Sequence, residues 1–91
     1  ERELYSRTAA VGDVHFTASG PPAAQFRCRV RTRYRQPEQD AAVTVLSDGR
    51  LHLVFDEPQR AITPGQTAAL YDGDEVLGGG RILPPDDNEE G

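Results

Sequence analysis

Short runs of alternating apolar and polar residues recur along the chain about every ten positions, separated by Gly, Pro and Asp. Alternation with a period of two places successive side chains on opposite faces of a β-strand. No segment shows the 3.6-residue period of an amphipathic helix. The pattern therefore predicts six strands, at residues 4–11, 25–35, 42–46, 51–55, 67–71 and 76–83.

Residues 25–35 form the most regular of these strands. One face carries the apolar or weakly polar residues Phe26, Cys28, Val30, Thr32 and Tyr34. The other face carries the arginines Arg27, Arg29, Arg31, Arg33 and Arg35. Pro37 follows two residues later and ends the strand, because proline has no N–H to donate to a central ladder. We call the five arginines the arginine ladder.

Turn residues connect the remaining strands. Asp48-Gly49 lies between two apolar runs and predicts a β-hairpin with a type I′ turn, which needs positive φ. Asp72-Gly73-Asp74 predicts a second hairpin. Gly12-Asp13 is expected to break the first strand, and Pro58 and Pro64-Gly65 to bracket a connection. Six short antiparallel strands favour a closed barrel over an open sheet, because closure removes exposed edges.

Three consecutive glycines, Gly78-Gly79-Gly80, stand inside the last predicted strand. Glycine is unfavourable within a strand unless a bulge, a sharp barrel corner or close backbone packing requires it. A phosphate-binding loop would need Gly-Lys-Ser/Thr at the start of a helix, and no helix is predicted here. We therefore interpret the three glycines as a requirement of the strand's geometry.

The length and composition fit one small domain, predicted at residues 4–83. The chain has 91 residues, of which 36% are hydrophobic, and no apolar run approaches the ~20 residues that cross a bilayer. Residues 1–6 lack the basic and then apolar pattern of a signal peptide. Cys28 is the single cysteine, so no internal disulfide is possible. These features predict a soluble protein of the reducing cytoplasm that does not contact membranes.

The net charge of −5 is unevenly distributed. Residues 84–91 contain four acids and no base, and this acidic tail is expected to be disordered. Residues 4–83 contain nine arginines and nine acids, so the predicted domain is neutral as a whole. The tail, rather than the domain, accounts for most of the negative charge, which leaves the arginine ladder as a local concentration of positive charge.

Five like charges on one strand face repel each other unless counter-charges lie nearby. Three sources of counter-charge are open. The first is pairing across strands with acids of the same domain, among them Asp40, Asp56, Glu57 and Glu75. The second is an acidic face of a neighbouring domain. The third is the phosphate backbone of an RNA.

No catalytic or metal-binding residue is predicted in this chain. Cys28 lies on the apolar strand face, where an inert core thiol is expected rather than a nucleophile. His15 and His52 are far apart and have no Cys or carboxylate at ligand spacing. The acids cluster in turns and no Ser/His/Asp set is visible. We accordingly expect no cofactor site in this domain and no nucleotide binding by it.

Three segments together resemble the C-terminal domain of the bacterial tRNA-specific 2-thiouridylases, over about residues 4–83. The first is Arg33-Tyr34-Arg35-Gln36, and the second is residues 55–66, of which Pro-Gln-Arg-Ala-Ile-Thr-Pro-Gly-Gln is the most specific part. The third is residues 70–74 with its continuation through 77–82. Asp13-Val14-His15-Phe16 differs from the Asp-Val-Asn-Trp of that family. The resemblance implies mostly a role in the fold for the matching positions, which are Arg33, Tyr34, Arg35, Gln66 and the glycines of the last strand.

The resemblance implies a six-stranded antiparallel barrel similar to the second domain of translation elongation factors. It also implies a parent enzyme, a tRNA-uridine 2-sulfurtransferase. That enzyme activates a wobble uridine of tRNA with ATP and Mg, and replaces the 2-oxygen with sulfur from a cysteine persulfide. The expected partners are the catalytic and central domains of the same chain, tRNA, and a cysteine desulfurase or sulfur carrier.

The family's catalytic motifs have no match in this sequence. Neither the Ser-Gly-Gly-Val-Asp-Ser nucleotide loop nor the catalytic cysteine pair is present, and Cys28 falls at neither catalytic position. Two functions remain for such a barrel. It positions tRNA by contacting RNA, or it is a structural or protein-docking barrel that braces the catalytic domain without direct RNA contact.

Overall fold

The structure, a computed structural model, describes residues 5–32, 37–60 and 65–84. Its six strands are β1 (Tyr5–Phe16), β2 (Gln25–Arg31), β3 (Gln39–Val45), β4 (Leu51–Arg60), β5 (Thr67–Asp72) and β6 (Glu75–Ile82). They form a closed antiparallel barrel in the order β1-β4-β3-β2-β5-β6. The prediction of an all-β, six-stranded antiparallel barrel is confirmed.

The barrel interior is filled by the apolar positions of the alternating strands. Val30, Val43, Leu53, Phe55 and Leu70 are each no more than 1% exposed, and they belong to one continuous core cluster. Every strand contributes to this cluster, which no charged or polar side chain of the described residues enters. The core is therefore apolar throughout, as the period-two pattern requires.

The glycine triplet lies at the place where β6 contacts both of its neighbours. A Cβ atom on Gly79 would lie 2.5 Å from the carbonyl oxygen of Ala68 on β5. A Cβ on Gly80 would lie 2.5 Å from the carbonyl oxygen of Gly12 on β1, and one on Gly78 would overlap the carbonyl oxygen of His15. Close backbone packing is thus the reason for the glycines, because any side chain here would push β6 away from β1 or β5.

Both predicted hairpins are present, but the first turn is of another type. The N–H of Gly49 donates to the carbonyl of Leu46 (2.9 Å), and of the turn residues only Gly49 has positive φ, at 92°. This is the pattern of a three-residue connection with glycine at the left-handed position, not of a type I′ turn, which needs two residues with positive φ. The Asp48 carboxylate accepts the N–H of Arg50 (3.0 Å), a local bond that favours this alternative.

The predicted break at Gly12-Asp13 is wrong. Strand β1 continues through it to Phe16, with one extra residue between Gly12 and His15 relative to β6. Asp13 takes positive φ (50°), which aspartate tolerates better than most residues. The pair of turn-forming residues therefore makes a β-bulge, so that β1 pairs with β4 along its first part and with β6 along its second.

The connection predicted to begin at Pro58 is also corrected, because β4 continues to Arg60. Its pairing with β3 ends at Phe55, and beyond that residue β4 is paired with β1 alone. A proline is compatible with such an edge segment, since no neighbour on that side needs its N–H.

Some predictions concern residues outside the described ranges. These are the segment of residues 33–36, the connection at residues 61–64 and residues 85–91 of the acidic tail. Within the ranges that the structure does describe, no helix is long and apolar enough to cross a membrane.

Candidate nucleic-acid interface

The arginine ladder lies on the outer surface of the barrel. Cys28 and Val30 of β2 point into the core, so the intervening arginines point outward. The side chains of Arg27 and Arg29 are each 60% exposed, whereas that of Arg31 is 36% exposed. Arg33 and Arg35 lie outside the described residues. The structure therefore places three of the five candidate contact residues on one accessible face.

Each of these three arginines has an acidic partner in the same domain. Arg27 forms an ion pair with Asp56 (2.6 Å), Arg29 with Asp40 (3.5 Å) and Arg31 with Glu38 (3.7 Å). The register of β2 and β3 accounts for the second pair, because Asp40 lies directly opposite Arg29. Two of the partners, Asp40 and Asp56, are among the acids that the sequence suggested.

The pair between Arg27 and Asp56 belongs to a contact that joins three strands. The Arg27 guanidinium donates to the Asp56 carboxylate, while Arg7 of β1 donates to the backbone carbonyl of Asp56 (2.8 Å). The hydrogen bond to Asp56 and the negative charge of its carboxylate raise the pKa of Arg27. Asp56 on β4 thus connects β2 and β1 across the outer surface.

Arg31 is the most enclosed member of the described ladder. Its guanidinium carbon lies 5.7 Å from the centroid of the Tyr71 ring, within the range of a cation–π contact. Its Nε atom is buried and has no hydrogen-bond partner among the described residues. Arg31 is therefore held by Tyr71 and Glu38 on two sides, and it presents less of its charge to solvent than Arg27 or Arg29.

Sequence reasoning missed Glu38, which was not among the acids considered as partners of the ladder. A signal was present in the order of the strands, since antiparallel pairing of consecutive strands brings the start of β3 next to the end of β2. The register Val30↔Gln39 places Glu38 beside Arg31. Glu57 and Glu75, the other acids considered, form no ion pair with the described arginines of β2.

The geometry has a clear electrostatic consequence. Arg27, Arg29 and Arg31 bring three positive charges, and Asp56, Asp40 and Glu38 bring three negative ones. The described part of the ladder is therefore locally neutral rather than a basic patch. Ion pairs between exposed side chains are weak and compete with water, so these arginines can still exchange partners when another anion or an acidic surface approaches.

Cys28 lies beneath this face and is 8% exposed. Burial is the main cause that raises the pKa of its thiol to about 11; a hydrogen bond with the Tyr71 backbone opposes the rise, and the nearby Asp72 carboxylate adds to it. A thiol in this state is protonated at neutral pH and is a poor nucleophile.

In the described part of the chain, no three His, Cys, Asp or Glu side chains form a group that could hold a metal ion.

The sequence of this barrel matches a known family of domains. The chain belongs to the aminomethyltransferase β-barrel domain family, whose match covers residues 6–82. The chain is also similar to proteins named tRNA-specific 2-thiouridylase MnmA. The resemblance inferred from the sequence is therefore confirmed.

Three of these relatives show how much of each protein is shared. The chain is 53% identical to the protein of Marinobacter nauticus over 79 residues, which cover 87% of this chain and 20% of that protein. It is 48% identical to the Xanthomonas campestris protein, with 91% and 22% covered. It is also 48% identical to the Geobacillus thermodenitrificans protein, with 87% and 21% covered. The chain thus spans about a fifth of the length of these relatives.

Proposed function

We propose that this chain is the accessory barrel of an ATP-dependent tRNA 2-thiouridylase, and that it positions tRNA for 2-thiolation of the wobble uridine by the rest of the enzyme. The observation that carries the proposal is the match of residues 6–82 to the barrel family, at about half identity to proteins named for this reaction. ATP with Mg, a cysteine persulfide donor and the catalytic residues then belong to the other four-fifths of the parent enzyme, in the cytoplasm.

The proposal is tested by exchange of the barrel in a relative. We expect removal of the matching barrel from the Marinobacter nauticus enzyme to lower kcat/KM for tRNA at least about tenfold, mainly through a higher KM. Insertion of residues 5–84 of this chain should restore most of the activity. The measurement is the rate of 2-thiouridine formation in tRNA, with ATP binding as the control for an intact catalytic domain. Full activity of the enzyme without its barrel contradicts the proposal.

A second candidate function is specifically favoured by the neutral arginine ladder. Because Arg27, Arg29 and Arg31 already have internal acidic partners, this face is suited to docking against a neighbouring domain rather than to wrapping a polyanion. In that case the barrel braces the catalytic domain and this face makes no direct RNA contact. Removal of the barrel would then lower kcat or thermal stability and leave the KM for tRNA unchanged.

Replacement of the three described ladder arginines by glutamine tests whether the ladder itself contacts RNA. In the chimeric enzyme we expect Arg27→Gln/Arg29→Gln/Arg31→Gln to leave the slope of log affinity for tRNA against log salt unchanged. The Tm of the isolated barrel should fall by a few degrees, because Asp56, Asp40 and Glu38 no longer have ion-pair partners. A slope that becomes shallower by about 0.9 for each phosphate that the variant no longer neutralises would assign the ladder to RNA instead. The matched control replaces the same residues by lysine, which keeps the charge.

A further inference from the structure

Arg81 differs from the other arginines whose side chains the structure describes. Arg7 and Arg50 are hydrogen-bonded, and the three ladder arginines are ion-paired. Arg81 has neither a hydrogen bond nor an ion pair within the described residues, although its neighbour Ile82 is buried and holds the strand in place. Arg81 is exposed, so its full charge is available on the outer surface of β6.

Arg81 lines an open groove of about 290 Å³ on the barrel surface. It crosses β6 between the bulge of β1 and the start of β5, on the side of the barrel formed by the closing strand. Its lining residues are Asp13, His15, Thr67, Gly79, Gly80 and Arg81. Gly79 and Gly80 contribute only backbone atoms to the lining, since carbonyl oxygens of β5 and β1 fill the places where their Cβ atoms would lie.

The strand register sets the spacing of the groups in this groove. Thr67 lies directly opposite Arg81 on β5, and His15 lies opposite Gly79 on β1. Because Gly79 and Arg81 are two residues apart on β6, the groups at the two ends are separated by about 7 Å along the strand. The side chains of Arg81, Thr67 and His15 have no hydrogen-bond partner in the described residues, so three sets of donors are free.

These groups select a ligand by their chemistry. The Arg81 guanidinium suits a phosphate, to which it can donate two hydrogen bonds, and the Thr67 hydroxyl is close enough in the ladder to donate a third. The His15 ring is exposed and can stack on a base or donate to an oxygen. Asp13 is the only acid in the lining; it repels phosphate but accepts a hydrogen bond from a hydroxyl, as the ribose 2′-OH offers.

We infer that this groove binds a ribose-phosphate unit of an RNA strand, with Arg81 and Thr67 on the phosphate and Asp13 on the 2′-hydroxyl. The inference rests on the proposed function, since it names the surface through which the barrel would position tRNA. It also assigns this contact to a face other than the arginine ladder, whose described charges are neutralised.

The test uses the 91-residue chain and a single-stranded uridine hexanucleotide. We expect weak, saturable binding that shifts the NMR resonances of Gly79, Gly80 and His15 in the unaltered chain. Arg81→Gln should weaken this binding about tenfold, whereas the matched control Arg27→Gln, which removes an internally paired arginine, should change it less than about twofold. Circular dichroism of each variant establishes that the barrel is folded. The NMR mapping is made on the unaltered chain, so it remains a test even where a variant fails to fold.

Two further arms identify the ligand. The hexamer of deoxyuridine should bind several-fold more weakly than its RNA counterpart, and Asp13→Gly, which keeps the positive φ accessible, should abolish that difference.

Equal affinity for uridine monophosphate and the hexamer would mean that the groove takes a free nucleotide, and would overturn the assignment to an RNA strand. Absence of shifts in the groove, or equal binding by Arg81→Gln, would also overturn it. Neither result affects the barrel-exchange test, so failure of this inference can be distinguished from failure of the proposed function.

Discussion

Replacement of Gly80 by alanine is expected to lower the free energy of unfolding of the barrel by about 3 kcal/mol, at the upper end of the usual cost of overpacking. The added Cβ would lie 2.5 Å from the carbonyl oxygen of Gly12 and 2.6 Å from Cγ1 of Val11. Neither neighbour can easily move, because one is backbone of β1 and the other is a side chain that is 1% exposed. Strand β6 must therefore shift away from β1 at the seam that closes the barrel.

Gly20→Ala is the matched control for this prediction. A Cβ on Gly20 meets nothing within 4 Å, so the same chemical change should alter the free energy of unfolding by less than about 0.5 kcal/mol. The measurement is chemical denaturation of both variants and of the unaltered chain. Equal stability of the Gly80 and Gly20 variants would show that β1 and β6 are not packed as closely as the structure indicates.

The fold was predictable from the sequence because its determinants are local. Alternation over residues 25–31 decides which face of β2 enters the core, and the Asp-Gly turns decide where hairpins form. The errors arose where the same residue types serve two purposes. Gly12-Asp13 has the composition of a strand end, yet it forms a bulge within β1, since only pairing with a second neighbour reveals that the strand continues. The error at Pro58 has a similar cause. A proline can stand within β4 at this point because the pairing of β4 with β3 has already ended, and the sequence alone does not show where that pairing ends.

The candidate surface was predictable only in part, for the same physical reason. The outward direction of the arginine ladder follows from alternation, but its neutralisation depends on cross-strand register, which places Asp40 opposite Arg29 and brings Asp56 within reach of Arg27. Arg81 carried no distinguishing signal in the sequence. We single it out because it has no partner among the described residues and shares a groove with His15 and Thr67, and both features appear only in the assembled barrel.

Cys28 is expected to react with a thiol reagent at pH 8 at least about a hundredfold more slowly in the folded barrel than in the unfolded chain. Its pKa is raised from an ordinary value of 9.0 to about 11, and each unit lowers the thiolate fraction about tenfold. Burial, which leaves the residue 8% exposed, adds a steric barrier. A suitable control is Ser19→Cys in a Cys28→Ala background, where the thiol stands at an exposed position and should react as fast as in an unfolded chain.

The same raised pKa makes a prediction about stability at alkaline pH. Between pH 9 and about 11 the unfolded chain releases the Cys28 proton while the folded barrel retains it, so the free energy of unfolding must fall as the pH rises through this interval. Below pH 9 both states hold the proton and Cys28 contributes no pH dependence. Because other groups of the chain can also release protons at alkaline pH, the diagnostic quantity is the difference in free energy of unfolding between the unaltered chain and Cys28→Ala, which should shrink over this interval. A constant difference in the free energy of unfolding would mean that the Cys28 thiol ionises as readily in the folded barrel as in the unfolded chain. Native labelling as rapid as that of the Ser19→Cys control would mean that the thiol is accessible. Either result would require a direct test of a part for Cys28 in sulfur transfer.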